Sequence, residues 1–441
     1  MKEHESRKVS AGTWFMLVLT ALVLFSSVLV LIRLSSGNSI DLKRIRTDTA
    51  SVGNTDQGPK EAEASSGRTE AAGHTNVQQA PQTEASSAKN NASPTQNAQA
   101  AGGAFTITVA GTVAVEGEIR KNSYISEVKT YDLSDIMTLL KNEVRSDLNI
   151  AFLENRLGGE KVSDTVAPES ACAMLKEAGF GIIAGGYTKA WEKDSGSVAS
   201  TCSTLQEYGL TPVGIYHPDH SNAISVRTYG GVRTIVLQYT DTIQSGVRNT
   251  MKKAGASETV PAADSEQIAS DIRKAREMGA EAVIVLVNWG KIGKNPDKNQ
   301  KSLAQAIADA GADLIIGSGS RVPQGAEYLS ASRADGSQSQ VLCVWCLGTT
   351  LSGERGSAKR IAGYLFHAEI VSDGKGGAVV RSPSYTPLYT WKYKQDGRYY
   401  YRCIPANRTA PDGMDTEQIK TMGRAKEATE TALAGSPLAE Q

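Results

Sequence analysis

Two short motifs contain residues whose types and spacing could support chemistry. Cys343 and Cys346 form a C-x-x-C motif, which is the spacing of thiol redox pairs. Redox pairs need an exposed helix start, whereas VLCVWCLG has the apolar continuity of a buried strand. His217 and His220 look like a metal pair, but Pro218 breaks helical spacing and no third ligand is near. We therefore interpret the first motif as a buried strand and the second as a solvated turn.

The overall charge gives no reason to expect a nucleic-acid partner. The 441 residues include 47 acidic and 47 basic side chains, so the formal net charge is zero. The five cysteines are scattered and odd in number, which argues against a disulfide framework. Long apolar runs occur after residue 104, so that part of the chain can bury a core.

The N-terminal part of the sequence predicts a membrane anchor. The segment from Trp14 to Leu34 is almost uncharged. It contains an uncharged run of about 19 residues, which is close to the length that crosses a bilayer as a helix. No short apolar region with a cleavage site is present, so we expect an uncleaved anchor after a cytoplasmic stub at 1–13. Basic residues flank both ends, but the long spacer that follows favours an extracellular C-terminal domain in a single-pass protein of the cell membrane.

Beyond the anchor, the composition separates a tether from a globular region. Residues 35–103 are rich in Ser, Ala, Thr and Gln and have few large apolar side chains, which predicts a disordered linker. Over 104–404, strands alternate with helices, which indicates an α/β domain. The helix predicted at 264–278 is typical, with a cap at Asp264, a capping box completed by Gln267 and a stop at Gly279.

After residue 341 the pattern changes to strands separated by turns, which favours antiparallel pairing at a sheet edge or in a second sheet. The tail at 405–441 contains a stretch that reads as a polar helix or a frayed end. His367 in AGYLFHAEI is interpreted as a satisfied sheet residue. The aromatic run 399–401, flanked by Arg398 and Arg402, could face a glycan or polymer, although strand propensity explains it as well.

Several blocks in the domain resemble the CapA family, in the same order and over roughly residues 105–370. They are the opening strand with its following glycine, NIAFLENRL, CAMLKEAGFGIIAGGYTKAWEKD, VIVLVNWG, LAQAIADAGADLIIGSGSRVPQ and VWCLGTT. The resemblance implies a metallophosphoesterase-like α/β sandwich, preceded here by one transmembrane helix and a disordered linker. It also implies a role in the synthesis or export of a capsule or envelope polymer of the poly-gamma-glutamate type.

The chain departs from the family at nearly every metal-binding position. The replacements are Thr112 for Asp, Phe152 for Asn, Tyr187, Thr188 and Lys189 for Asn-Asn-His, Asn288 for His, Ser318, Gly319 and Arg321 for three His residues, and Thr349 for Asn. Glu154 remains, and Glu192 keeps the charge of the motif's Asp. Two carboxylates without imidazole do not make a site that activates water. We therefore expect no bound metal, no cofactor and no catalytic residue.

The replacements suggest a different use of the cleft. Lys189 and Arg321 are permanent cations that could hold an anion without cleaving it. Neutral donors from Thr112, Ser318 and Asn288 could add to this, and Glu154 or Glu192 could orient the cations; we take these seven positions as ligand-binding candidates. The alternative is a decayed site of ordinary loop residues, with Lys189 paired to Glu192 at i, i+3 spacing.

Three functions remain open at this point. The first is a non-hydrolytic module that binds an anionic envelope polymer or membrane proteins of capsule synthesis. The second is an active metallophosphatase-like hydrolase. The third is a structural scaffold for membrane partners.

Overall fold

The structure of the C-terminal region is a computed structural model that describes residues 102–219, 225–333 and 336–441. The predicted stub, the anchor at 14–34 and nearly all of the linker at 35–103 lie outside these ranges. Among the helices of the described ranges, none combines the length and the apolar character needed to cross a bilayer.

Strands outnumber helices in the described ranges. The strands are β1 Ala104–Val113, β2 Tyr124–Ile125, β3 Thr130–Tyr131, β4 Leu148–Leu153, β5 Arg156–Leu157, β6 Val166–Ala167, β7 Ile182–Ala184, β8 Thr211–Val213, β9 Arg227–Tyr229, β10 Val232–Thr240, β11 Ala282–Asn288, β12 Leu314–Ser318, β13 Pro323–Ser332, β14 Gln338–Leu347, β15 Thr349–Leu351, β16 Ala362–Ser372, β17 Ala378–Gln395, β18 Arg398–Pro405 and β19 Ala439–Glu440. The α-helices are α1 Gly117–Ser123, α2 Ser170–Ala178, α3 Gly196–Glu207, α4 Ser245–Lys253, α5 Ser265–Glu277, α6 Lys298–Asp309, α7 Ala358–Ile361 and α8 Thr416–Leu433.

The first of two large sheets has nine strands and mixed pairing. Its order is β18-β17-β16-β1-β4-β7-β8, with β15 pairing with β1 and β19 with β17. β1 is parallel to β4 and antiparallel to β16, and β17 is antiparallel to both of its neighbours, β16 and β18. The antiparallel edge predicted for the region after 341 is therefore present in β16, β17 and β18, on the same sheet as the opening strand, whereas β14 of that region lies in the other large sheet and is parallel to β12.

The second large sheet has six strands in the order β13-β14-β12-β11-β10-β9. β10, β11, β12 and β14 run parallel, and antiparallel β13 and β9 close the two edges. The parallel strands are continuous apolar runs, as expected for strands that are covered on both faces.

The two sheets pack face to face, and helices cover their outer faces. A central cluster joins Ile107 and Ile150 of the first sheet to Ile284 and Ile316 of the second. A second cluster packs α2 and α3 on the first sheet. A third packs α5 and α6 on the second sheet. The prediction of an α/β domain is confirmed, and its layers are helix, sheet, sheet and helix.

Helix α5 illustrates how local sequence sets an element. Asp264 caps its N-terminus by accepting a hydrogen bond from the backbone N–H of Gln267, as predicted. The predicted capping box is wrong, because the Gln267 side chain donates to Asp271 at 2.9 Å instead of turning back to the cap. Gly279 follows the helix with φ +82°, a conformation that glycine adopts without strain.

The segment after β18 forms a packed helix. In α8, Asp415 and Gln418 make a full capping box, and Met422 and Leu433 are buried. The helix lies in a cluster with β17 and β18. Of the two alternatives for this stretch, the polar helix is the one present.

Candidate functional site

Polar residues from both sheets meet where the parallel strands end. Asn288 is in register with Thr240 on one side and Ser318 on the other, at the ends of β11, β10 and β12. Thr112 at the end of β1 is in register with Phe152 of β4. The hydroxyl oxygens of Thr112 and Ser318 lie 3.2 Å apart and connect the two sheets. Carboxyl ends of parallel strands are the usual place for a site in open α/β sheets.

Above these strand ends lies a cleft of about 650 Å³. Its lining residues are Glu116, Glu154, Asp164, Thr165, Tyr187, Thr188, Lys189, Asp241, Thr242, Gly290, Lys291, Ile292, Asp297, Asn299, Gly319 and Arg321. The lining carries five acidic and three basic side chains, so the cleft is not a simple cationic pocket.

Arg321 forms the centre of the cleft floor, which we define as Glu116, Glu154 and Arg321. Its guanidinium donates to Glu154 Oε2 through Nε at 2.8 Å and through Nη2 at 2.7 Å. Nη1 donates to Glu116 Oε1 at 2.7 Å. Thr112 donates to the other Glu154 oxygen, Oε1, at 3.1 Å. Arg321, which the sequence predicted to bind an external anion, is therefore already paired with two carboxylates of the chain.

The electrostatics of the floor follow from these contacts. Burial alone would lower the pKa of Arg321, but the charges of Glu154 and Glu116 outweigh burial and raise that pKa. The guanidinium is thus held charged by its partners. Arg321 also has φ +55°, and its carbonyl accepts a hydrogen bond from Thr349 at 3.1 Å. The left-handed backbone at Arg321 is held by a neighbouring strand, which fixes the direction of the side chain.

The neutral donors proposed from the sequence lie beneath the cleft. Thr112 and Ser318 are fully buried and Asn288 is 1% exposed, so a ligand in the cleft does not reach them. Asn288 Oδ1 accepts from Thr242 at 2.7 Å, and the Thr242 hydroxyl accepts from Thr188 at 2.8 Å. These two hydroxyl groups connect the buried amide of Asn288 to the exposed residue Thr188 in the cleft lining.

Glu192, a predicted ligand-binding candidate, does not line the cleft. Its carboxylate pairs with Arg156, whose side chain is 2% exposed and also pairs with Glu160 at 3.0 Å. Arg156 Nη1 donates to the carbonyl of Lys189 at 3.0 Å. The alternative pair between Lys189 and Glu192 is wrong, because in the described residues the Glu192 carboxylate pairs with Arg156 and no ion pair joins it to Lys189. Neither does Glu192 orient a cation of the cleft.

Two lysines remain at the opening of the cleft. Lys189 follows β7 and Lys291 follows β11, and both side chains are exposed. In the part of the chain that the structure describes, neither ammonium forms an ion pair with a carboxylate. We call Lys189 and Lys291 the lysine rim.

Sequence reasoning missed several residues of the cleft. Glu116 was not identified, although it follows the buried end of β1, and Lys291 directly follows the Asn-Trp-Gly block. Asp241 and Asp297 also line the cleft. Partial desolvation and the charge of Asp297 raise the pKa of Asp241. The position of each residue just after a strand end is the signal that could have found Lys291 and Asp241.

The residues present do not fit the metal that the family resemblance implies. Among the described residues, no group of three or more His, Cys, Asp or Glu side chains could hold a metal ion. Glu154, the surviving ligand position, is bound to a guanidinium and a hydroxyl. Divalent ions of this kind need several oxygen or nitrogen donors with free lone pairs, and a guanidinium offers none.

The C-x-x-C motif lies in a buried strand, as predicted, and the structure describes only one histidine of the other motif. Cys343 and Cys346 are fully buried free thiols in β14, and burial raises the pKa of both. At i, i+3 spacing on a strand they point to opposite faces. His217 contacts Asp219 at 2.5 Å in an exposed turn, and His220 lies outside the described residues.

Fold and site together define an α/β/β/α domain with a polar cleft at the strand ends, closed at its floor by an arginine–carboxylate cluster. The family of the bacterial capsule synthesis protein PGA_cap matches residues 106–353, which is more than half of the chain. The chain therefore belongs to this family, as the resemblance to CapA indicated.

Individual relatives are more distant. The chain is 26% identical over 220 residues to the capsule biosynthesis protein CapA of Bacillus anthracis, covering 47% of this chain and 53% of that protein. It is 26% identical over 171 residues to the PGA biosynthesis protein CapA of Bacillus subtilis, covering 38% of this chain and 44% of that protein. The chain spans about half the length of these curated relatives. A hypothetical protein from Thermus thermophilus, known from a crystal structure, matches 64% of this chain and 99% of its own with 16% identity and a TM-score of 0.37.

Proposed function

We propose that this chain takes part in the synthesis or export of an anionic capsule or envelope polymer of the poly-gamma-glutamate type, as a binding module that does not hydrolyse it. Family membership and the names of the two CapA relatives support the process. The observation that carries the non-hydrolytic part is the ion pair of Arg321 with Glu154 and Glu116 at the cleft floor.

The floor argues against a hydrolytic mechanism of the metallophosphoesterase type. That mechanism requires a divalent ion that lowers the pKa of bound water and so produces hydroxide near neutral pH. Here the guanidinium of Arg321 supplies the positive charge beside Glu154, at the place where that mechanism requires a divalent ion. A guanidinium supplies charge but has no open coordination position for water. The layered sheets and their cleft are then a metallophosphoesterase-like architecture used for binding.

The lysine rim supplies the polymer contact in this proposal. Lys189 and Lys291 are exposed at the cleft opening, and their flexible ammonium groups can follow a chain of carboxylates. Arg321 is assigned to the floor because its charge is balanced by two carboxylates. Asp241 and Asp297 oppose a polyanion, so the proposed contact is confined to the rim and is sensitive to salt.

The proposal places the chain at the cell membrane with its C-terminal domain outside. The apolar segment from Trp14 to Leu34 supports a single-pass anchor, and residues 35–103 have the composition of a tether. A tethered domain can sample a polymer or the membrane proteins of capsule synthesis near its anchor.

Binding of the full-length chain in detergent to poly-gamma-glutamate tests the proposal. Replacing Lys189 and Lys291 together by Ala should weaken binding about tenfold, since two screened ion contacts are lost. The matched control is the double change of Lys252 and Lys253, exposed in the last turn of α4, to Ala.

Equal losses in both double variants, or none in either, would mean that the rim is not a polymer site and would favour the scaffold. Stoichiometric metal in the purified protein together with phosphodiester turnover would refute the non-hydrolytic assignment and favour the hydrolase.

A further inference from the structure

The outer edge of the nine-stranded sheet carries a series of stacked aromatic rings. On the hairpin of β17 and β18, Trp391 stacks on Tyr393 with ring centroids 4.3 Å apart and an interplanar angle of 28°. Tyr393 stacks on its cross-strand partner Tyr400 at 5.5 Å and 21°. Trp391 is 3% exposed and Tyr400 is 38% exposed, so the series runs from the core to the surface. We call these three residues the aromatic ladder.

A groove of about 190 Å³ runs along this edge, separate from the cleft. One wall is the hairpin, with Tyr393, Tyr399 and Tyr400. The other wall is the segment 122–136, which contributes Asp132 and Asp135. The groove therefore combines aromatic faces with carboxylate acceptors.

Two arginines, Arg398 in the groove lining and Arg402 beside it, already make contacts within the chain. Arg402 pairs with Asp135 at 3.3 Å and lies over the Tyr393 ring at 5.6 Å. Arg398 donates to the carbonyls of Asn122 at 2.7 Å and Tyr124 at 2.9 Å. With these guanidinium groups engaged and two carboxylates in the opposite wall, the groove does not favour a polyanion.

The carboxylates retain acceptor capacity. Asp132 uses Oδ1 to accept from both the backbone N–H and the hydroxyl of Ser134, at 3.0 and 2.7 Å. Asp135 uses Oδ2 for Arg402. A carboxylate has about four lone-pair sites on two oxygens, so both side chains can accept further hydrogen bonds from a ligand.

We propose that this edge groove binds a saccharide chain, with a pyranose ring stacked on Tyr400 and its hydroxyls donating to Asp132 and Asp135. Pyranose rings present apolar C–H faces and hydroxyl edges. An aromatic face with a negative quadrupole packs against the first, and carboxylate oxygens accept from the second. Strand propensity accounts for tyrosine in β18, but it does not account for a ladder that ends at the surface beside two carboxylates.

Titration calorimetry of the full-length chain with chitohexaose, a linear oligomer of N-acetylglucosamine, tests this inference. The wild type should bind, and Tyr400→Ala should weaken binding about tenfold because the stacking surface is lost. Tyr400→Phe keeps the ring and should bind like the wild type. Tyr328→Ala removes a tyrosine of similar exposure, 42%, from the other sheet and should have no effect.

A second variant guards against misfolding of the hairpin. Asp132→Asn keeps an oxygen for Ser134 and should lower the thermal midpoint only slightly, yet weaken chitohexaose binding about fivefold. The inference is overturned if the wild type does not bind chitohexaose, or if Tyr400→Ala and Asp132→Asn bind it as tightly as the wild type. It is also overturned if Tyr400→Ala weakens binding of poly-gamma-glutamate and leaves chitohexaose binding intact.

Discussion

Arg321 and Glu154 form a buried ion pair in which two guanidinium nitrogens reach one carboxylate oxygen. The distances from Nε and Nη2 to Oε2 are 2.8 and 2.7 Å, and the side chains are 14% and 9% exposed. The residues are 167 positions apart in the sequence, and they follow strands of different sheets, Glu154 after β4 and Arg321 after β12. Together with the hydroxyl contact of Thr112 and Ser318, this pair fastens the two sheets to each other at the cleft.

Removal of Arg321 should therefore destabilise the domain strongly. In Arg321→Ala, the carboxylates of Glu154 and Glu116 are left without a cation, and breaking a buried pair in this way costs about 3–5 kcal/mol. The free energy of unfolding, measured by urea denaturation, should fall by that amount. The control Arg408→Ala removes a pair whose arginine is 49% exposed, and it should cost about 1 kcal/mol or less.

Neutralising Glu154 in addition to Arg321 should restore part of the lost free energy of unfolding. A double variant, Arg321→Met with Glu154→Gln, removes both charges and keeps a side chain that can accept from Thr112. It should be more stable than Arg321→Ala. If Arg321→Ala and Arg408→Ala lower the free energy of unfolding equally, the pair does not fasten the sheets.

Divalent ions should leave the stability of the domain unchanged. A ligand that binds only the folded state raises the free energy of unfolding by RT ln(1 + [L]/Kd), so a metal site would raise the thermal midpoint. Because the floor offers a guanidinium and two committed carboxylates, we expect no shift with Mn²⁺, Zn²⁺ or EDTA. A rise of the thermal midpoint with one of these ions, reversed by EDTA, would show that the domain binds a divalent ion and would contradict the conclusion that the floor residues do not fit one.

The fold could be predicted in so far as it depends on local pattern. The boundaries of α5 followed from Asp264, its apolar stripe and Gly279, because caps and periodicity act within a few residues. The side chain of Gln267 could not be placed, since its choice between the cap and Asp271 is a small energy difference at an exposed position of the helix. Which sheet each strand joins depends on contacts distant in sequence, and the pattern contains none of that information.

The cleft could be predicted only through the resemblance, and its electrostatics not at all. The positions of Glu154, Lys189 and Arg321 around one cleft follow from the order of the family's blocks. The neutralisation of Arg321 depends on Glu116, which is 205 residues away in the sequence and belongs to no recognised block. In the same way, the ion pair between Arg156 and Glu192 forms only in the folded chain, so the sequence pattern did not predict it.

Gly317 is required by the close approach of two tryptophans at the end of β12. A Cβ atom there would lie 2.0 Å from the carbonyl oxygen of Trp345 and 2.3 Å from Trp289 Nε1. These two residues are joined by a hydrogen bond of 3.0 Å from that Nε1 to that oxygen. Gly317→Ala should lower the free energy of unfolding by about 2–4 kcal/mol, from overpacking and the lost hydrogen bond. Urea denaturation followed by tryptophan fluorescence measures this change.

The control for this prediction is Gly246 in α4, where a Cβ would meet no atom within 4 Å. Gly246→Ala should stabilise the domain slightly, because alanine has less backbone freedom to lose in a helix. Equal and small effects of the two changes would show that the strand end tolerates a methyl group and that the tryptophan contact is loose.

His367 should make the domain less stable in mild acid. It is 8% exposed in β16 and lies between the hydroxyls of Thr108 and Thr386, at 3.0 and 3.1 Å, so the interpretation as a satisfied sheet residue is confirmed. Burial lowers its pKa from 6.5 to about 4. The unfolded chain therefore takes up a proton at His367 below pH 6.5, while the folded chain does so only near pH 4.

The stability contributed by this neutral ring is full above about pH 6.5 and is lost as the pH falls toward 4, by about 3 kcal/mol in total. His367→Gln keeps hydrogen-bonding groups and does not titrate, so its free energy of unfolding should decline less over this interval. Carboxylates titrate in both proteins, and the difference between wild type and variant isolates the histidine. Urea midpoints measured from pH 7 to 4 should converge or cross; curves that stay parallel would mean that His367 is protonated equally in both states.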